Sequence, residues 1–348
     1  METLWYVILI SVFTVYVVLD GYDIGVAMLV PFVATTESER GMVRGTIGPV
    51  WTGNEVWLIA GSALLFSAFP KAYAAGFSGF YLALMILLWL LIGRGLAFEL
   101  RGHVEHLLWR TGWDAIFSVS GLLLAFLLGL LVGNVSRGVP LNAEGYFFLP
   151  LWTDARPGAH PGMLDWFTLL SGLTMVLLLG LHGATYLAMK TIGPLREKCR
   201  SVVGTVSALA AVSLSALYGA WPFVQPAVRE NYVTNPAGYV WPATSVAALV
   251  LVLLCHVRDR QVAAFVSSCL LIASFLVTLA WGTYPNLLMA IDPGNSVTIA
   301  GAAAERGALQ VALWWVLPGL TLVMFYQWLI RRLFAGPVTP ASHHSHGA

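Results

Sequence analysis

The stretch Gly48-Pro49-Val50-Trp51-Thr52-Gly53-Asn54-Glu55-Val56-Trp57 decides how this chain is read. It opens an apolar segment that runs on to Phe69, and it sets a proline, two tryptophans, an amide and a carboxylic acid at the head of a helix otherwise suited to hydrocarbon. Such groups are costly at membrane depth, so something other than lipid must face them. Phe69-Pro70-Lys71-Ala72-Tyr73 and Phe77-Ser78-Gly79-Phe80-Tyr81 follow directly. The remainder of the chain supplies the membrane context. Hydrophobic residues make up 58% and charged residues 10%, and the mean hydropathy is +0.79. That balance lies far from soluble domains and indicates an all-α polytopic membrane protein. With 348 residues and about 20 residues per span, the chain has room for roughly eight to ten helices and no sizeable soluble domain.

Apolar runs place spans at 4–32, 47–69, 77–100, 113–133, 164–189, 202–224, 240–257, 261–281 and 308–333, nine in all. The basic residues between them divide unequally. Arg40, Arg44, Arg101, Arg110, Lys190, Arg196, Lys198, Arg200, Arg258, Arg260, Arg331 and Arg332 fall on one side, against Lys71, Arg137, Arg156, Arg229 and Arg306 on the other. Positive short loops stay in the cytoplasm, which predicts a periplasmic N-terminus and a cytoplasmic C-terminus. The start of the chain lacks a basic n-region and a cleavage site and reads as a first span. Residues 1–335 form one transmembrane domain, within which a pseudo-repeat of helices one to four with five to eight, plus a ninth, is compatible with the count. Residues 336–348, with His343, His344 and His346, read as a disordered tail. The loops 134–162 and 285–307 read as ordered turns. A net charge of +1 without a dense basic cluster argues against nucleic-acid binding. Cys199, Cys255 and Cys269 fall in no metal-ligand spacing.

The chemistry sits inside the membrane. Asp20 and Asp23 lie three residues apart and share a face of helix one. Thr52 and Glu55 repeat the spacing in helix two, and helix three ends with Arg94 and Glu99. Rise per residue brings these groups to one depth toward the cytoplasm. One reading is a buried network of ion pairs that fixes packing, with Gly21, Gly25 and Gly53 allowing close approach. The other is a proton route, because isolated carboxylates in a membrane exchange protons that structural pairs do not need to exchange. For Glu55 both readings stand. For Asp20, Asp23 and Glu99 the structural one is preferred, and Asp20 has a further reading as the cap of a break at Gly21. His182 reads as a packing histidine, since no second residue is placed to share a haem with it. Span-end aromatics fit interfacial belts, whereas Trp51 and Trp57 lie within a span.

These residues resemble a known family. Leu19-Asp20-Gly21-Tyr22-Asp23-Ile24-Gly25, the helix-two stretch, Phe69-Pro70-Lys71-Ala72-Tyr73, Phe77-Ser78-Gly79-Phe80-Tyr81 and Arg94-Gly95-Leu96-Ala97-Phe98-Glu99 are similar to subunit II of cytochrome bd-type quinol oxidases. So are Gly133-Asn134 with Gly138-Val139-Pro140, Gly183-Ala184-Thr185-Tyr186-Leu187 and Tyr284-Pro285-Asn286. The resemblance implies a bacterial cytoplasmic-membrane heterodimer. Its haem-bearing subunit I would hold the b and d haems and oxidise quinol, with dioxygen reduced to water and the protons taken from the cytoplasm. This chain would support that partner, and a structural quinone, a small single-helix accessory subunit and membrane lipid are further implied occupants. The family's helix-two motif reads Trp-Asp-Gly-Asn, its acid being assigned to a proton channel. Thr52 stands at that position here and cannot change charge at pH 7, so Glu55, one turn on, is the expected substitute. The proton-path candidates are thus Glu55, Thr52, Asp20, Asp23 and Glu99. Trp51, Asn54, Trp57 and Arg94 are candidates for facing the partner haem or an oxygen route. Two other classes compete: an ion-coupled secondary transporter, which would need paired broken helices, and a purely structural scaffold.

Overall fold

A computed structural model describes residues 1–338. The tail histidines His343, His344 and His346 lie outside the described residues.

The apolar runs form the long helices α1 (Glu2–Val33), α3 (Trp51–Ala68), α5 (Tyr81–Leu100), α6 (Leu107–Arg137), α7 (Trp166–Lys190), α8 (Gly193–Val224), α10 (Val240–Val257), α11 (Gln261–Thr283) and α13 (Arg306–Leu333). Among the described residues, eight of these are long and apolar enough to cross a membrane. The ninth, α3, spans 18 residues, and the polar groups of its first turn dilute its hydropathy. Short helices link them: α2 (Glu37–Ile47), α4 (Pro70–Gly79), α9 (Pro226–Thr234) and α12 (Ile299–Ala302). The first lies in the stretch left between the spans read from sequence. It forms because Thr36 and Glu39 build a capping box, each side chain bonding the other's backbone N–H. Helix α8 begins nine residues before the apolar run that starts at Val202, since Pro194 suits a first helical turn and the following charged residues are good helix formers.

Helix α1 lies in the middle of the bundle and packs against α3, α6, α7 and α11. The expected break at Gly21 does not occur; α1 is continuous from Glu2 to Val33, so Asp20 caps nothing. Its tightest crossing is with α7. A Cβ on Gly25 would fall on the Leu179 carbonyl, and one on Gly183 would fall on the Gly25 backbone. Only glycine lets the two main chains meet there, and this contact brings His182 and Tyr186 beside Tyr22.

At the end of the bundle away from α2, the loops 138–165 and 284–305 are ordered and joined. Val139 N–H donates to the Met289 carbonyl at 2.9 Å, and Asn295 Nδ2 donates to the Leu141 carbonyl at 3.2 Å. Strands β1 (Asn286–Leu288) and β2 (Val297–Thr298) pair antiparallel there. Arg137 anchors this end, buried against Asp165 and donating to Asn134 Oδ1 at 2.6 Å. Asp165 in turn caps α7 by accepting from the N–H groups of Phe167 and Thr168, both at 2.9 Å.

At the α2 end the basic residues are mostly paired: Arg101 with Asp114 and Glu37, Arg40 with Asp114, Arg196 and Arg200 with Asp259, Lys198 with Glu39. Residues 336–338, read from sequence as part of a loose tail, are held against the end of α7, where Lys190 Nζ donates to the Phe334 and Gly336 carbonyls and Val338 N–H donates to the Lys190 carbonyl.

Candidate functional site between α1, α3 and α5 toward the α2 end

The first half of the site is built on α5. Arg94 is 2% exposed, and its Nη2 donates to Asp20 Oδ1 of α1 at 2.7 Å and to the Glu55 carboxylate of α3. One guanidinium thus holds two acids from two helices. Asp20 is fully buried, whereas the Glu55 side chain keeps 28% of its surface exposed at the outer edge of α3.

The second half lies one turn further along α1. Asn54 Nδ2 donates to Asp23 Oδ2 at 2.8 Å and to the Tyr22 hydroxyl at 2.7 Å, and Asn54 Oδ1 accepts from Arg331 Nη2 at 3.0 Å. Tyr22 stacks on Tyr186 with ring centroids 4.2 Å apart. Asp20 Oδ2, Asp23 Oδ1, and Arg94 Nε and Nη1 are buried and make no hydrogen bond within the chain. Asp23 and Arg94 share the wall of a narrow cavity of ≈ 10 Å³ with Ile47, Trp51, Phe98 and Phe117, about the space of one water. The Tyr16 hydroxyl, one turn deeper on α1 than Asp20, is likewise buried and without a partner.

Not all the residues expected here converge. Thr52 is exposed on the outer side of α3, and Glu99 is exposed at the end of α5, where its carbonyl meets His103 Nδ1 at 3.1 Å. The i, i+3 relation alone separates Thr52 from Glu55 by about 60° around the helix, enough to put one outward and the other on Arg94. Trp57 is buried, 3% exposed, with its indole N–H unpaired; Trp51 packs against Phe98 at 5.3 Å between ring centroids. Sequence reasoning missed Tyr22, Arg331 and Gln327. The first sits inside the Asp20–Asp23 motif; Arg331 lies 277 residues beyond Asn54 and Gln327 lies on the same distant helix, so nothing local ties them to it.

His182 has both ring nitrogens engaged, Nε2 on the Val18 carbonyl at 2.9 Å and Nδ1 on the Ser268 hydroxyl at 2.8 Å, with its ring stacked on Phe265. A carbonyl only accepts, so Nε2 carries the proton, while Nδ1 faces the Ser268 hydroxyl. Both ring nitrogens are thus engaged within the chain, and the ring does not fit as an axial ligand. Among the described residues, no three His, Cys, Asp or Glu side chains are grouped to hold a metal ion.

Comparison with known proteins bears directly on this arrangement. The family described as cytochrome bd terminal oxidase subunit II matches residues 1–334. The chain belongs to the cytochrome bd subunit II family. It is similar to the cytochrome bd-I ubiquinol oxidase subunit 2 of Escherichia coli K12, 30% identical over 95% of this chain and 93% of that one. It is also similar to the cytochrome bd ubiquinol oxidase subunit 2 of Bacillus subtilis strain 168, 35% identical over 62% and 61% of the two chains. In fold it matches a chain of the bd oxidase of Geobacillus thermodenitrificans, with a TM-score of 0.73 and 19% identity over 96% of this chain and 98% of that one. As a subunit II it is part of a terminal oxidase of the respiratory chain, a multi-pass protein of the bacterial cytoplasmic membrane. Haems belong to the complex, and a subunit I partner is implied by the family.

Proposed function

We propose that this subunit II supports a haem-bearing subunit I and supplies protons from the cytoplasmic side for the reduction of dioxygen by quinol. The b and d haems and the quinol-oxidising site belong, in this reading, to the partner. When bound, the haems carry the electrons and the oxygen chemistry; what this chain does is hold charge and protons next to them.

One observation carries the reading. Asp20 and Glu55 meet the Arg94 guanidinium, Asp23 accepts from Asn54, and Arg331 reaches the same Asn54 from the half-exposed edge, so three carboxylates stand close to two guanidiniums. An uncompensated charge in a low-dielectric interior is expensive, and the group neutralises instead. A single proton shared over the three acids balances the constellation. The orphaned oxygens of Asp20 and Asp23 are the atoms that can hold it, and the cavity between Asp23 and Arg94 offers a water-sized relay. Arg94 orients Asp20 and Glu55; Asn54 orients Asp23. Glu55, the only one of the three with exposed surface, is the group from which a proton leaves the cluster toward the partner. Thr52 is outside this set and offers at most a hydroxyl at its rim.

The purely structural reading shares the ion pairs but has no need for a third acid. The two are separated by turnover of the assembled oxidase at saturating quinol. Glu55→Gln keeps the shape and the hydrogen bond to Arg94, so a scaffold would tolerate it. The proton reading expects turnover and proton uptake to fall together by about tenfold or more, as for a removed proton-transfer group. Full turnover and uptake in a normally assembled variant would refute it.

A further inference from the structure

Helix α13 is an outlier in this bundle. Of its 28 residues only Leu309 and Gln327 are buried, and Trp314 and Trp315 are 80% and 78% exposed. It carries a proline, Pro318, at mid-length. Its hydrogen bonds to other helices lie at its two ends. The Trp5 indole N–H of α1 donates to the Leu309 carbonyl at 3.3 Å near one end. At the other, Gln327 Nε2 donates to the Gly53 carbonyl at 2.6 Å, and Arg331 reaches Asn54. The second contact is a fork. Arg331 Nη1 donates to Gln327 Oε1 at 2.7 Å while Nη2 donates to Asn54 Oδ1 at 3.0 Å and lies 3.4 Å from the Tyr22 hydroxyl. A Cβ on Gly53 would stand 3.1 Å from Gln327 Nε2, tighter than an ordinary contact, so glycine there lets α13 come this close to α3.

The fork settles an ambiguity in Asn54. An amide presents one acceptor and two donors and can be turned either way. With a guanidinium on Oδ1, the NH2 group must face inward, where it donates to Asp23 Oδ2 and to Tyr22. Without Arg331 the amide oxygen loses its donor, and only Asp23 and Tyr22 hold the NH2 group in place. We infer that Arg331 is a positioning residue for the acid cluster: it latches the end of α13 onto α3 and, through Asn54, fixes the hydrogen bond that orients Asp23. The groups facing Asp23 are then Asp20 and Tyr22 on α1, Asn54 on α3, Arg94 on α5 and, through Asn54, Arg331 on α13. Arg331 is the half-exposed member of that set. It stands where the chain of hydrogen bonds meets the inner face, so the seating of α13 and the state of Asp23 are linked.

This rests on the proton-handling reading of the cluster, and its test separates the two. In the assembled oxidase, Arg331→Gln, Asp23→Asn and the double variant are compared by turnover at saturating quinol. Hydrogen exchange of peptides covering 50–57 and 325–333 is followed in the same preparations. The inference expects Arg331→Gln to speed exchange in both peptides and to lower turnover about tenfold, the scale of one lost charge-assisted hydrogen bond. It expects the double variant to be no slower than Asp23→Asn alone, since both changes act on one group. Unchanged exchange overturns the latch. A double variant whose loss is the product of the two single losses overturns the action through Asp23, because a merely structural defect multiplies independently. Full turnover in Asp23→Asn alone would instead remove the proton-handling reading, an outcome distinct from either.

Discussion

Replacing Arg94 by glutamine is the change whose cost the structure fixes best. Arg94 is 2% exposed and its partner Asp20 is 0% exposed, so the pair has little solvent to fall back on. Removing one partner of a buried pair leaves the other charge uncompensated and costs about 3–5 kcal/mol, against about 0–1 kcal/mol for an exposed pair. Glu55 is partly exposed and adds little to the loss, because water reaches it once Arg94 is gone. Adding Asp20→Asn to Arg94→Gln removes the stranded charge, so the double variant should recover roughly 1–3 kcal/mol of the loss. Equilibrium unfolding of the purified complex in mixed micelles, followed by tryptophan emission, measures both. A loss under about 1 kcal/mol for Arg94→Gln, or strict additivity of the two changes, would show that Arg94 does not hold these helices together.

Three further outcomes follow from other parts of the bundle. Gly183→Val puts side-chain atoms where the Gly25 backbone lies, so the α1–α7 crossing should fail and the oxidase should not assemble; recovery of normal amounts of complex on gel filtration would contradict this. Lys198 and the N–H groups of Thr35 and Thr36 hold the Glu39 carboxyl down at about 2, below its ordinary 4.5. A depressed carboxyl stabilises the fold above 4.5 and loses that contribution as pH falls toward 2. The stability gap between the native chain and Lys198→Ala should therefore narrow over that window, and a gap that stays constant would be inconsistent with the pair. Arg137→Ala strands Asp165 and frees Asn134, so limited proteolysis from the Arg137 side should cut the 138–165 loop faster in the variant than in the native chain; equal rates would contradict the anchoring role.

The nine long helices were legible because long apolar runs leave few alternatives in hydrocarbon, and the polar head of α3 was legible because its residues have no business in lipid. Asp20, Arg94 and Glu55 could be brought together from depth alone. What spacing could not give was azimuth: Thr52 and Glu55 share a helix face only loosely, and a rotation of about 60° decides which one meets Arg94. Glu99 reads as a neighbour of the cluster from its position on α5, yet it points to the surface. The contribution of α13 was hidden for a different reason. Arg331 looks like one more basic residue at a helix end, a topological signal, and its fork onto Asn54 and Gln327 exists only once α13 is laid against α3. The glycine crossing at Gly25 and Gly183 was half visible: Gly25 was expected to allow close approach, while the identity of its partner needed the packing of α7.

We propose that Asp20, Asp23 and Glu55, close to Arg94 and Arg331, share one exchangeable proton. Infrared difference spectroscopy of the assembled oxidase, reduced minus oxidised, reads protonated carboxyl groups directly. A signal in the carboxylic-acid C=O region that shifts in deuterated water and is lost or displaced in Asp23→Asn and Glu55→Gln is the predicted result. The same carboxylic-acid signal in all three proteins, or none in the native complex, would contradict the account.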